Sequence, residues 1–395
     1  MNFLFILNTF YPNIGGVENA TFEICKRLRK RSHNVYVLTT TKSNFFPQQK
    51  ELLDFEIIDE IQIFRVRYSL RMFGFPLGAI MLVKKLRINY IYITDFWGSI
   101  ALFCKRVFRI PFVYILNGYN PICPTGMLFH DQLCNGFEIM KCIKNCHQFS
   151  LRFLLTLSFT RVLLREAKRV FAISKAVRNA YLSFFGQIPI KLNYYGIDSQ
   201  KFRPLQVQFF KIPYNLKESD KIILFFGRLI KYRGVADFIV YFKEITKQVN
   251  CKLLIVGLGS DLPEIKNKVR MLKLQESVVF AGILRDQELI DVINFSQLII
   301  LPILFPEPLS LVVLESMACA KPVVSFELGG VKDLLNNMKT GVLVPPNDWS
   351  QFIRRILQLL KDDKLREAIG LAARRKVEKM FNWDRFIEQF LKEIN

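Results

Sequence analysis

The sequence predicts an α/β protein of two similar domains, each a parallel sheet covered by helices. Three observations lead there. At 395 residues the chain is too long for one ordinary domain and suits two of roughly 150 to 200 residues. Hydrophobic residues make up 51% of it, 37 of them Phe, which supplies two cores and leaves no room for extended disorder. Short apolar runs alternate with longer amphipathic stretches in both halves, the pattern of strand-helix-strand units whose sheet is buried on both faces.

Taken in order, residues 3–7 read as a buried strand that leads through a loop with Gly15 and Gly16 into a helical pattern ending near Arg31. A second strand follows at residues 35–40, and the runs 90–93, 112–116 and 170–173 continue the sheet. Residues 202–220 carry prolines and no clear period, so a boundary is expected near 200. A second alternation then begins at residues 222–226 and recurs at 252–256, 278–280, 298–301 and 323–325. The expected domains are residues 1–200, with a Cys-bearing insertion at 121–147, and residues 201–375. The amphipathic segment 376–395 is expected to pack back on the first domain.

The formal net charge is +22. Residues 1–200 hold 26 Lys and Arg against 12 Asp and Glu, so the first half is the more basic. Such a field attracts anionic lipid, anionic substrates or nucleic acid. The uncharged stretch 292–306 has 15 residues and contains prolines, short of the ~20 apolar residues that cross a bilayer. The N-terminus lacks a positive n-region and reads as a strand, so a cytoplasmic location is expected.

The chemistry concentrates in residues 306–324. Glu307 and Glu315 are separated by seven residues. A helix starting just after Glu307 would put the first carboxylate at its mouth and the second about two turns in. Backbone N–H groups at such a start, around Leu309, Ser310 and Leu311, suit a pyrophosphate, and the carboxylates suit sugar and ribose hydroxyls. Spacing alone does not separate this pair from two solvated surface glutamates.

The neighbouring words do. Residues 315–324 read "ESMACAKPVV", which resembles the signature run of glycosyltransferase family 4. The resemblance spans nearly the whole chain: Gly15-Gly16-Val17-Glu18, "AISKAVRNAYLSFFG" from Ala172, "YYGIDSQKFRP" from Tyr194, "FFGRLIKYRGV" from Phe225, "LLIVGLGSDLPEI" from Leu253 and "GGVKDLL" from Gly329. It implies the GT-B fold, two Rossmann-like domains facing across a cleft. The implied enzyme is a retaining, metal-independent transferase that needs no cofactor. Its donor would be a nucleotide diphosphate sugar, and its acceptor a glycan or lipid-linked molecule in cell-surface polysaccharide or glycolipid synthesis.

The resemblance also implies roles. Glu307 would contact the donor sugar near the reacting centre, and Glu315 the ribose. Arg228 and Arg233 would hold the diphosphate, Gly15 and Gly16 would let the backbone approach the ligand, and backbone groups near Gly257 and Ile283 would meet the base. Asn117 stands where family members commonly have a histidine; it can hydrogen-bond a hydroxyl but cannot act as a base. Arg233 replaces the usual lysine, Pro308 and Ser310 replace usual glycines, and the segment ending at Asp95 lacks the usual His-x-His. The proton acceptor is therefore unassigned. A front-face mechanism, in which the departing phosphate oxygen takes the acceptor's proton, tolerates Asn117.

Cys123, Cys134, Cys142 and Cys146 cluster in the insertion, as either a structural zinc site or free thiols. Residues 71–87 and 151–175 mix basic and apolar side chains and suit an anionic membrane surface or a solvated helix face. The other functional classes open at this point are a nucleotide-sugar 2-epimerase of the same layout and a basic nucleic-acid-binding protein. No nucleic-acid motif is present, so no nucleic-acid partner is expected.

Overall fold

A computed structural model describes residues 1–13, 15–41, 52–94, 97–130, 132–133, 151–206, 216 and 219–395. They form two compact units, residues 1–196 with 383–395, and residues 197–382.

The first unit runs β1 (Asn2–Ile6), α1 (Gly16–Lys30), β2 (Asn34–Thr40), β3 (Phe55–Ile58), β4 (Ile61–Val66), α2 (Arg71–Leu86), β5 (Tyr90–Ile93), α3 (Gly98–Phe108) and β6 (Phe112–Leu116). A small antiparallel pair follows, β7 (Phe129–His130) and β8 (Gln132–Leu133), then α4 (Leu151–Glu166), β9 (Arg169–Ala172), α5 (Lys175–Phe185) and β10 (Ile190–Leu192). Eight strands make one sheet in the order β10-β9-β6-β5-β1-β2-β4-β3, parallel except for β3 against β4. β1 and β6 are apolar without alternation because helices cover both faces of the sheet, and Phe3, Leu4, Phe5 and all of β6 are buried.

The second unit runs β11 (Lys221–Phe226), α6 (Val235–Thr246), β12 (Cys251–Val256), α7 (Leu262–Met271), β13 (Val278–Gly282), α8 (Asp286–Phe295), β14 (Leu298–Leu301), α9 (Leu311–Ala318), β15 (Val323–Phe326), α10 (Val331–Leu334), β16 (Val342–Val344), α11 (Trp349–Lys361) and α12 (Asp363–Met380). Its six strands are all parallel, ordered β13-β12-β11-β14-β15-β16. The chain lays strands outward in one direction from β11 to β13, then returns to build the other side from β14. The turning point lies between β11 and β14.

The chain returns to the first unit later than residue 376. α12 stays with the second unit because it packs closely there: a Cβ on Gly370 would lie 2.0 Å from the Ala320 carbonyl oxygen. The Arg374 guanidinium also donates to the carbonyls of Ala318, Phe202 and Ser199 at 2.5, 2.6 and 2.9 Å. Only α13 (Trp383–Ile394) belongs to the first unit. There Asn193 donates to the Phe386 carbonyl and the Tyr90 hydroxyl to that of Ile394. Among the described residues no helix is long and apolar enough to cross a membrane.

Candidate active site

In an open parallel sheet, ligands settle beyond the carboxyl ends of the strands, at the point where strand order reverses. In the second unit the segments leaving β11 and β14 meet at that point, and they carry Arg228, Arg233 and Glu307. Arg233 donates from Nη2 to Glu307 Oε1 at 2.6 Å, both side chains being largely buried, and its guanidinium lies 5.9 Å from the centre of the Phe305 ring. The two segments are also joined through the backbone, Leu304 N–H donating to the Tyr232 carbonyl at 2.9 Å. A third loop holds the Glu307 peptide. Gly329 sits at φ +58°, where a Cβ would come within 2.4 Å of the Glu307 carbonyl oxygen, and Gly330 N–H donates to that oxygen at 2.7 Å. Only glycine fits at 329.

Four buried polar atoms on three side chains here lack a partner among the described residues: Glu307 Oε2, Arg233 Nε and Nη1, and Ser310 Oγ. Each such atom costs about 1–3 kcal/mol when left unsatisfied. Their gathering at one strand end is the mark of a site built for a polar ligand. Ser310 is the residue before α9 and makes no capping bond, so the first N–H groups of α9 also lack a side-chain cap.

α9 begins at Leu311, three residues later than the glutamate spacing suggests, and Leu309 and Ser310 are buried ahead of it. The Glu307 carbonyl is taken by Gly330 and cannot serve as a first helical acceptor; Ser310 does, from Leu314 N–H. Glu315 therefore lies just over one turn into the helix rather than two. Glu315 is half-buried as a residue with its carboxyl inside, and burial of the carboxyl pushes its pKa up to about 8, with the positive charge of Lys201 pulling the other way. Arg228 is exposed and has no ion-pair partner among the described residues. Gly257 donates to the Gly282 carbonyl at 2.6 Å and lies so close to the Gly227 carbonyl that a Cβ would be 1.9 Å from its oxygen. Its missing side chain serves the packing of the loops after β11 and β12, with Ile283 half-buried beyond them.

In the first unit, Asn117 follows β6. Its Oδ1 accepts a hydrogen bond from the Tyr195 hydroxyl, while its Nδ2 is buried and unpartnered among the described residues. Burial raises the Tyr195 pKa, so the phenol stays protonated and acts as the donor. The Asn117 amide N–H thus remains available to a ligand. Rings of Trp383 and Phe386 pack on Tyr195 and fix its place. Gly15 precedes α1 in ordinary extended backbone, φ −177°. Gly16 opens that helix. The Glu18 carboxylate accepts from Thr9 at 2.6 Å and lies against Gly15, so the start of α1 already faces a carboxylate of its own chain.

Residues 14–201 match the family description Glycosyltransferase Family 4, and residues 207–376 match Glycosyl transferases group 1. The chain belongs to this glycosyltransferase family. It is 25% identical over 392 residues to an uncharacterised glycosyltransferase of Methanocaldococcus jannaschii, covering 97% of this chain and 95% of that protein. Identity is 22% over 400 residues, 99% and 97% of the two chains, with O-antigen chain mannosyltransferase C of Escherichia coli. Among solved structures, sucrose-phosphate synthase of Thermosynechococcus elongatus is similar with TM-score 0.78 at 19% identity, covering 99% and 97%. Anabaena HepE, solved in complex with UDP, gives TM-score 0.75 at 19% identity and covers 99% of each chain. These likenesses establish the GT-B fold.

Two residues of this glycosyltransferase escaped the motif reading in their full role. Tyr195 was visible only as part of a family word, and its bond to Asn117 joins positions 78 residues apart. Phe305 lies outside any quoted motif. Of the cysteine cluster, Cys123 is buried with its Sγ 3.2 Å from the Thr125 hydroxyl, while Cys134, Cys142 and Cys146, like Asp95, lie outside the described residues.

The raised Glu315 pKa has a measurable consequence. Between the ordinary carboxyl value of 4.5 and about 8, the folded glycosyltransferase holds a proton that the unfolded chain releases. Stability from this group is full below 4.5 and is lost as pH rises through about 8. Melting temperature measured between about pH 5 and pH 8 is expected to fall less steeply in Glu315→Gln than in the parent. Equal slopes would mean that Glu315 is ionised throughout.

Proposed function

We propose that the protein is a retaining glycosyltransferase that takes a sugar from a nucleotide diphosphate and passes it to a glycan or lipid-linked acceptor in cell-surface polysaccharide or glycolipid synthesis. The observation that carries this reading is the buried Arg233–Glu307 pair, with its unpartnered atoms, beside the uncapped start of α9 at the strand-order reversal. Arg228 and the α9 N–H groups take the diphosphate, where charge grows as the leaving group departs. Arg233 contributes through Nε and Nη1 while Glu307 holds its third nitrogen. Glu315 accepts from the ribose hydroxyls, and Glu307 Oε2 from a hydroxyl of the donor sugar. Asn117, in the first unit, keeps its amide N–H free for a hydroxyl of a ligand.

In the front-face reaction, the bond from the sugar's anomeric carbon to the phosphate oxygen breaks, and the bond to the acceptor oxygen forms on the same face. The acceptor's proton passes to the departing phosphate oxygen. No protein nucleophile or base is required, in keeping with asparagine at 117. The UDP bound to HepE and the O-antigen mannosyltransferase among the relatives favour a nucleotide-linked donor and a surface-glycan product. Since protein cations meet the diphosphate, transfer is expected to persist in excess EDTA.

A thermal-shift screen with UDP, GDP and ADP tests the reading, because a ligand that binds only the folded state raises the melting temperature. One nucleotide is expected to shift the parent, and Arg228→Ala to weaken its binding by about tenfold or more through the loss of a charge-assisted bond. No shift with any nucleotide, or a shift that Arg228→Ala leaves intact, would overturn it.

A further inference from the structure

α2 has two apolar faces where a helix covering a sheet needs one. Its inner face, Phe75, Ala79 and Leu82, is buried, and Gly74 and Gly78 bring it close to Val66 and Leu38 of the sheet. Its outer face is a second row at helical spacing, with Phe73, Leu77 and Met81 exposed by 77%, 68% and 59%. Leu70, just ahead of the helix, extends the row. Packing among the described residues does not account for these side chains, and a contiguous exposed apolar row marks a contact surface.

The surroundings say what covers it. α3 packs beside α2 and adds exposed Phe103 and Val107. Lys84 of α2 lies over the Phe108 ring of α3 at 6.0 Å, which joins the two helices at their carboxyl ends. Exposed cations cluster at that end, Lys84, Lys85, Arg106 and Arg109. Neither helix contains an Asp or Glu. Glu166 pairs with Lys105 at 2.7 Å and reaches Arg106 at 4.0 Å, so Lys84, Lys85 and Arg109 are the cations there without an acidic partner among the described residues.

We propose that the outer face of α2 and α3 docks on an anionic lipid bilayer, the apolar row entering the acyl boundary and the cations meeting the headgroups. A second copy of this chain is the poorer occupant, because a symmetric contact would set Lys84, Lys85 and Arg109, unpaired among the described residues, against their own copies. The inference deepens the lipid-linked acceptor reading, since it places the first unit where such an acceptor lies.

The test is flotation of the full chain with phosphatidylcholine vesicles and with an equimolar phosphatidylcholine and phosphatidylglycerol mixture. Binding is expected to the anionic vesicles alone and to fall as salt rises. The pair Phe73→Ser with Leu77→Ser should weaken it by about tenfold or more through lost apolar burial. The pair Lys84→Glu with Lys85→Glu should do the same through lost charge. Both variants should keep the parent's melting temperature and its nucleotide shift, which separates failed docking from failed donor binding. No binding to anionic vesicles at low salt, or binding that survives both variants, overturns the proposal. So does a lipid-free dimer that the Phe73→Ser and Leu77→Ser pair dissociates, which would make the row a protein interface.

Discussion

A chain ended at Asn382 is expected to lose the folded first unit while the second still melts cooperatively. α13 supplies Trp383, Phe386, Ile387, Phe390 and Ile394, all buried, and Phe390 meets the rings of Phe3 and Phe171 on the central sheet. Each such side chain stabilises by about 1.5–3 kcal/mol, so five together match the whole net stability of a typical domain, about 5–15 kcal/mol. The truncation also strips partners from Asn193 and Tyr90. Calorimetry should show one transition in place of two, and that transition should still rise with the nucleotide that shifts the parent. Phe390→Ala is the milder version, costing about 3–5 kcal/mol. Two transitions in the truncated protein would show that the first unit folds without its last helix.

Glu307→Gln should lower kcat by about 100-fold or more, the effect of removing one preorganised group from a reacting centre. The same change leaves the largely buried Arg233 charge without its carboxylate, which costs about 3 kcal/mol when a buried pair is broken from one side. Stability and activity can be separated. Adding Arg233→Met removes the orphaned charge and should restore much of the melting temperature, while transfer stays low. A kcat for Glu307→Gln within about tenfold of the parent would remove Glu307 from the reacting centre.

The parts of the protein written in short stretches of sequence were legible without the structure. The unbroken apolar runs of β1 and β6 announce a sheet buried on both faces, and the two alternations on either side of residue 200 announce two α/β units. Arg233 and Glu307, which the fold brings together, were legible for the same reason, since, like Arg228 and Glu315, they sit in words whose spacing the local backbone sets. Other features needed the tertiary structure because they depend on partners far apart in the chain. The hairpin of β3 and β4 turns at Asp59 and Glu60, both at positive φ, a turn that local pattern does not mark as glycine or asparagine would. α9 starts at Leu311 because a glycine loop beyond β15 takes the Glu307 carbonyl. The division between α12 and α13 follows from what each helix packs against, not from its own periodicity. The same holds for Arg233, which reads in sequence as a free cation for phosphate and is in the folded chain half of a buried ion pair 74 residues removed. Local periodicity and turn chemistry are decided within a few residues, whereas a side chain's charge state, partners and exposure belong to the surface it meets.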